Sequence, residues 1–233
     1  PLSLPVALVA ELADAEARVL LARRFHNDAV RDTLALRERP LVRLLHLGGT
    51  AALPTYFEIA ERAGPAARDP GQFTRRVSAR VILLDEAGKV LLFCGSDPAR
   101  GGADAPRWWF TVGGAVEPGE DLVETAVREL AEETGLALSP AELVGPVWRR
   151  EAVIDFNGSV MHSEELFFVH RTAHFEPATT GHTDLERRYL HGHLWCDETM
   201  IDELVAKGQT VYPLQLGELL ARAGELADVR GAG

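Results

Sequence analysis

Cysteine is nearly absent from the 233-residue chain: Cys94 and Cys196 are the only two, and they lie far apart in sequence. That spacing excludes a disulfide-rich framework and the paired-cysteine metal sites, so both read as buried, reduced thiols. Long apolar runs are also missing. The opening stretch PLSLPVALVAELADAEARVLLARR is broken by Glu11, Asp14 and Glu16, which argues against a secretory signal or membrane span there, and a cytoplasmic location is expected. Positive charge is scarce. Lys and Arg number 24 against 35 Asp and Glu, a net charge of −11, and such a surface repels DNA and anionic lipid. Neither nucleic acid nor membrane is therefore expected as a partner. If the substrate is itself a polyanion such as a nucleotide, the protein's carboxylates must first be screened by bound cations. With 46% apolar and 25% charged residues, the composition is that of an ordinary globular protein and excludes disordered, collagen-like and coiled-coil chains.

The length allows one full domain plus an appendage, or two small domains. Residues 1–75 read as a helical extension. Val6, Val9, Leu12, Ala13, Val19 and Leu20 recur near the helical period, and a second run starts around Asp28 and is interrupted by Pro40. PTYFEIAERAG reads as a short helix with Pro54 at its start and Gly64 at its C-cap. GPAARDPGQ, residues 64–72, concentrates Gly and Pro and marks the domain boundary. This extension carries no clustered catalytic groups; it is expected to pack on the domain or to form part of a homodimer contact. His26 and His46 read as surface or packing residues.

From residue 76 the texture changes. RRVSARVILLDEAGKVLLFCG predicts two strands about a turn at Asp85-Glu86-Ala87-Gly88. A polar Gly/Pro loop and the strand WWFTV follow. Further strands are expected at Leu143–Val153, Glu165–Val169 and Gly192–Trp195, with a last helix after Pro213 and a tail over 226–233. Strands mixed with two helices and no repeated β-α units predict an α+β domain over 76–225.

The informative segment is GGAVEPGEDLVETAVRELAEETGL, residues 113–136. Glu120 and Asp121 suit a helix N-terminus through its dipole, and Gly135 suits the left-handed position that ends a helix. On a helical wheel of about 100° per residue with Glu129 at zero, Glu132 falls at about −60° and Glu133 at about +40°. Leu122, Ala126 and Leu130 fall at about +20°, +60° and +100°, so Glu129 and Glu133 lie within the apolar stripe. Clustered carboxylates that face protein repel one another and lose hydration unless cations or strong donors compensate them. A hard divalent metal is the natural compensator. By angle, Glu124 and Arg128 suit a solvated face.

This segment resembles the Nudix box, G-x5-E-x7-R-E-U-x-E-E-x-G-U with U aliphatic: Gly114, Glu120, Arg128, Glu129, Leu130, Glu132, Glu133, Gly135 and Leu136 match every specified position. Seven fixed identities would arise by chance in a chain this long on the order of once in a million. The resemblance implies an alpha-beta-alpha sandwich that hydrolyses a nucleoside diphosphate linked to another moiety, using Mg²⁺ or Mn²⁺. It implies metal binding by the Gly113 carbonyl and by Glu129, Glu132 and Glu133, support of the metal by Glu120, and an Arg128 that holds Glu129. One departure is Val112, where family members often carry Pro.

Outside the box, the candidates for a further ligand or base are Glu164, Glu165 and Glu186, with Glu186 favoured because a loop can bring it to the nucleophilic water. Arg107 and Trp109 are the candidates for substrate binding, as phosphate partner and base-stacking ring, with Arg100 also near the Gly-rich loop. Because successive strand residues face opposite ways, only one of Trp108 and Trp109 is expected to stack. No subfamily signature is met; Glu151 stands where members that cleave ADP-ribose carry Pro. The expected substrate is a nucleoside triphosphate or a small nucleoside diphosphate derivative, cleaved to release a nucleoside monophosphate. A nucleotide-sensing module without turnover is the alternative.

Overall fold

The turn at Asp85 shows how locally this chain is specified. Asp85 Oδ1 accepts the backbone N–H groups of Ala87 at 2.9 Å and Lys89 at 2.8 Å, and Gly88 takes a positive φ of 82°. The strands it joins are β2 (Thr74–Leu84) and β3 (Val90–Ser96), which meet at Leu84 and Val90. The computed structural model describes residues 6–59, 74–97, 107–156, 159–178 and 190–228, in two compact units, Pro1–Glu58 and Ile59–Gly233. The boundary expected over 64–72 lies outside the described residues.

In the first unit, α1 (Val6–Arg37) is one continuous helix, not two runs, because neither Gly nor Pro interrupts residues 6–39. Pro40 opens the short α2 (Pro40–Leu44). The helix expected in PTYFEIAERAG is corrected: Thr55–Ile59 is strand β1. Its β-branched and aromatic residues favour extended backbone. Asn27 of α1 grips its middle residue, donating to the Phe57 carbonyl at 3.1 Å and accepting the Phe57 N–H at 2.9 Å. Val19, Leu20, Leu21 and Phe25 of α1 and Leu41, Leu44, Leu45 and Leu47 beyond it are exposed.

The second unit contains β4 (Arg107–Ala115), α3 (Leu122–Thr134), β5 (Val144–Phe156), β6 (Ser159–Arg171), β7 (Leu190–Cys196), α4 (Glu198–Ala206), β8 (Thr210–Tyr212) and α5 (Leu216–Asp228). Its sheet runs β5-β6-β2-β3-β4-β8, with β7 on β3 and a further pairing of β2 with β4. Residues 107–111 of β4 pair with β3, and residues 112–115 pair with β2. The strand therefore branches from one partner to the other just before its two glycines. Ala79, Val81, Leu83, Leu91, Phe93 and Val112 of the sheet form the core with Ala126 and Leu130 of α3. The fold is α+β, and α4 is a helix the sequence reading passed over. Its signal is present: Asp197 caps it by accepting the Met200 N–H at 2.9 Å, ahead of Ile201, Leu204 and Val205 at helical spacing. Among the described residues no helix is long and apolar enough to cross a membrane.

Candidate active site

Helix α3 is fixed at both ends by its own sequence. Asp121 is the N-cap and accepts the N–H groups of Val123 and Glu124 at 2.9 Å each, while Glu124 accepts the Asp121 N–H at 3.1 Å, a complete capping box. Gly135 closes the helix with a φ of 78°. Between these caps Thr125, Ala126, Leu130, Glu133 and Thr134 are buried. Glu133 is 4% exposed and accepts the Gly113 N–H at 2.8 Å, so the helix carboxylate and the glycine end of β4 hold each other.

The two glycines are dictated by close approach. Gly113 has a φ of 125°, and a Cβ there would lie 2.2 Å from the Ala79 carbonyl oxygen of β2. A Cβ on Gly114 would lie 2.2 Å from Glu129 Oε1. Only glycine admits both the neighbouring strand and the Glu129 carboxylate.

Arg128 is the hub of the acidic face. Its Nε donates to Glu120 Oε1 at 2.7 Å and its Nη2 to Glu120 Oε2 at 3.1 Å. Nη1 donates to Glu129 Oε1 and to Glu132 Oε2, both at 3.0 Å, and Nη2 also reaches the Ala115 carbonyl at 3.2 Å. The solvated face that its wheel angle suits gives way to the grip on Glu129 that the resemblance implies: the Arg128 side chain is 24% exposed and holds three carboxylates. A residue at position 128 reaches Glu132 one turn on, while its long stem lets the guanidinium return to the loop that carries Glu120. Hydrogen bonding to Arg128, with Thr125 and the Glu117 N–H, holds the Glu120 carboxyl at about 2. Burial pushes Glu129 above the ordinary carboxylate range despite the attraction of Arg128 and Arg80. A counter-cation would relieve that cost.

A second charged group was not anticipated from sequence. Glu165, 2% exposed, lies between two arginines: its Oε1 accepts from Arg80 Nε at 3.3 Å and Nη2 at 3.2 Å, and its Oε2 accepts from Arg150 Nη1. Burial raises its pKa, but the two guanidinium groups outweigh that and hold it at about 2. The remaining nitrogen, Arg80 Nη1, donates to the Gly113 carbonyl and, at 3.4 Å, to the Thr111 carbonyl. The signal lay in strand alternation: Val77, Ala79, Val81 and Leu83 mark one face of β2, which leaves Arg80 on the other.

The structure thus brings Gly113, Glu120, Arg128, Glu129, Glu132 and Glu133 together. Glu164 and Glu165 are withdrawn from the role of free base, since Glu164 is ion-paired with Arg149 at 2.8 Å and Glu165 is enclosed by arginines. Trp109 is corrected as a stacking ring: it is 8% exposed, and its indole N–H donates to Gln209 at 2.5 Å. Trp108 is the half-buried member of the pair. Arg107 is exposed at the start of β4, six residues before Gly113, roughly 20 Å away along an extended strand. Glu186 and Arg100 lie outside the described residues.

By charge and donor type the acidic face fits a hard divalent cation. Four carboxylates gather there, those of Glu120, Glu129 and Glu132 on the Arg128 guanidinium and that of Glu133 on the Gly113 N–H, and oxygen donors suit Mg²⁺ or Mn²⁺. Among the described residues no three such side chains yet converge on one point; Arg128 and the Gly113 N–H each hold an arm of the set.

Residues 74–213 match the NUDIX domain, and the chain belongs to the Nudix family. It is similar to an RNA pyrophosphohydrolase of Dinoroseobacter shibae, 41% identical over 70 residues that cover 29% of this chain and 40% of that protein. The chain thus spans well under half the length of that relative. Among solved structures it is similar to a MutT protein from Methanosarcina mazei, with 18% identity, TM-score 0.45, and coverage of 66% of this chain and 96% of that one. It is also similar to the E. coli dihydroneopterin triphosphate pyrophosphohydrolase, with 19% identity, TM-score 0.45, and coverage of 64% and 95%.

Proposed function

We propose that the protein is a metal-dependent pyrophosphohydrolase that cleaves a phosphoanhydride bond in a nucleoside triphosphate or a small nucleoside diphosphate derivative. The observation that carries this reading is the acidic face itself. Glu133 is buried and Glu129 half-buried against Gly113 and Gly114 of β4, with Glu132 at the rim and one arginine serving three carboxylates. Such a concentration of negative charge, part of it withdrawn from solvent, is costly without a cation and supports one readily. Glu129, Glu132, Glu133 and the Gly113 carbonyl are the groups that would hold Mg²⁺ or Mn²⁺. A divalent cation held there would supply neutralisation of the diphosphate, polarisation of the phosphoryl group and a more acidic water.

The protein's own residues supply positioning. Arg128 fixes the rotamers of Glu129 and Glu132 through Nη1, and Glu120 fixes Arg128 through Nε and Nη2. Glu120 therefore acts through Arg128. Of the three candidate bases, Glu164 and Glu165 are paired with arginines; the loop sequence TGHTDLERR favours Glu186 for the proton of the attacking water.

The test is a hydrolysis screen over nucleoside triphosphates, nucleoside diphosphate derivatives and a 5′-triphosphorylated oligoribonucleotide, with Mg²⁺ and with excess EDTA. A mononucleotide substrate is expected in view of the net charge of −11. Reaction in ¹⁸O-water locates the attacked phosphorus. Binding without turnover of any of these, in the presence of metal, would identify a sensing module instead.

A further inference from the structure

Arg80 is placed where an ion pair alone would not require it. Glu165 already has Arg150 as a partner, and a buried ion pair is on average no more stabilising than an apolar pair of the same size. Yet the second arginine stands on β2 directly opposite Gly113, with its side chain 15% exposed and its guanidinium carbon 5.9 Å from the centroid of the Phe110 ring. The guanidinium divides its work. Nε and Nη2 are anchored on Glu165 Oε1, and Nη1 alone faces the Gly113 and Thr111 carbonyls. A single ammonium could not span both sides; a planar fork can.

We propose that Arg80 is a resident counter-cation of the metal site: its Nη1 holds the Gly113 carbonyl in the metal-free protein, and a divalent cation takes that carbonyl from it while Arg80 stays anchored on Glu165. This inference rests on the metal-site reading given above. It explains how a face with an excess of negative charge keeps its shape before metal arrives. It also sets a cost on metal binding, because a fixed positive charge beside the site repels a divalent cation, and at separations of a few ångströms that repulsion outlasts screening by salt. Removing the charge should tighten metal binding, which is the opposite of what loss of an ordinary supporting residue does.

The experiment is a Mn²⁺ titration followed by electron paramagnetic resonance, without nucleotide, on the full chain and on its Arg80→Gln and Arg80→Lys variants. Arg80→Gln is expected to bind Mn²⁺ at least fivefold more tightly than wild type and to melt at a lower temperature in EDTA. Arg80→Lys, which keeps the charge, is expected to return the affinity to within twofold of wild type. Unchanged or weaker Mn²⁺ binding by a folded Arg80→Gln protein would overturn the proposal while leaving the metal site intact. Failure of wild type itself to bind Mn²⁺ would overturn the metal-site reading and this inference together. A second measurement needs no stable glutamine variant. In wild type with ¹⁵N-labelled arginine, the Arg80 Nε–H resonance, assigned with Arg80→Lys, should shift as Mg²⁺ is added; a resonance that does not move also overturns the proposal.

Discussion

The carboxylate of Glu129 lies over Gly114 so closely that a Cβ at position 114 would stand 2.2 Å from Oε1. The obstructing atoms are the far end of a side chain that can rotate, so Gly114→Ala should fold with a melting temperature close to wild type. The displaced Glu129 should nevertheless lower Mn²⁺ affinity and turnover, each by at least about tenfold, the lower range for a disturbed metal shell. Gly113→Ala should behave differently, because its Cβ meets the Ala79 backbone and its φ of 125° strains any other residue. A loss of roughly 2–3 kcal/mol of stability is expected there. Thermal scans and Mn²⁺ titrations of the pair distinguish the two; equal melting temperatures would refute the assignment.

Arg128 bridges Glu120, Glu129 and Glu132 with three nitrogens. Arg128→Lys keeps the charge but loses the fork, so it should fail to rescue: kcat should fall by about a hundredfold or more, as for Arg128→Ala. Near-normal turnover of the lysine variant would show that only the charge matters.

Glu132→Gln and Glu133→Gln should each reduce metal-dependent turnover by at least about a hundredfold, since the amide cannot supply the charge that holds the cation. Both should remain folded. Glutamine at 133 can still accept the Gly113 N–H through its carbonyl oxygen, and removal of a carboxylate relieves repulsion in the metal-free state. Turnover that survives excess EDTA in wild type would contradict the whole scheme, and a collapsed circular dichroism spectrum in either variant would contradict the second half.

Glu165 links stability to pH. Its folded pKa of about 2 lies below the ordinary 4.5, so its pairing stabilises the fold above pH 4.5 and that contribution fades as pH falls toward 2. A shift of this size corresponds to on the order of 3 kcal/mol. Unfolding free energy measured between about pH 5 and pH 2 should therefore fall less steeply for Glu165→Gln than for wild type. Parallel curves would show that Glu165 is not the responsible group.

What was readable from sequence follows the range of the interactions concerned. The Asp85-Gly88 turn, the capped helix α3 and the inward pointing of Glu129 and Glu133 depend on neighbours within a few residues, and these were visible as spacing. β1 was misread as a helix because Pro54 and Gly64 look like helix ends, whereas Thr55, Tyr56, Phe57 and Ile59 between them favour extended backbone. The Arg80–Glu165 pair joins residues 85 apart, on strands whose adjacency no local pattern encodes. For Arg128 the wheel angle and the motif pointed different ways: a wheel assigns direction to a Cβ, and a guanidinium on a long stem can turn back from it to Glu129, as the motif implies. Trp109 was placed by its nearness in sequence to the Gly-rich loop, whereas its environment is set by Gln209, 100 residues on.

Because β4 exchanges β3 for β2 as its partner between Thr111 and Val112, Gly113 and Gly114 sit at a fork in the sheet. Exposing the Gly113 amide to solvent requires the β2 ladder to part and the Glu133 carboxylate to let go. That amide should accordingly exchange its hydrogen for deuterium on the timescale of global unfolding, although it belongs to a glycine at a site that must receive a ligand. The site would then be a rigid receptacle whose adjustments are confined to side chains, with the backbone donors held at fixed coordinates throughout a catalytic cycle.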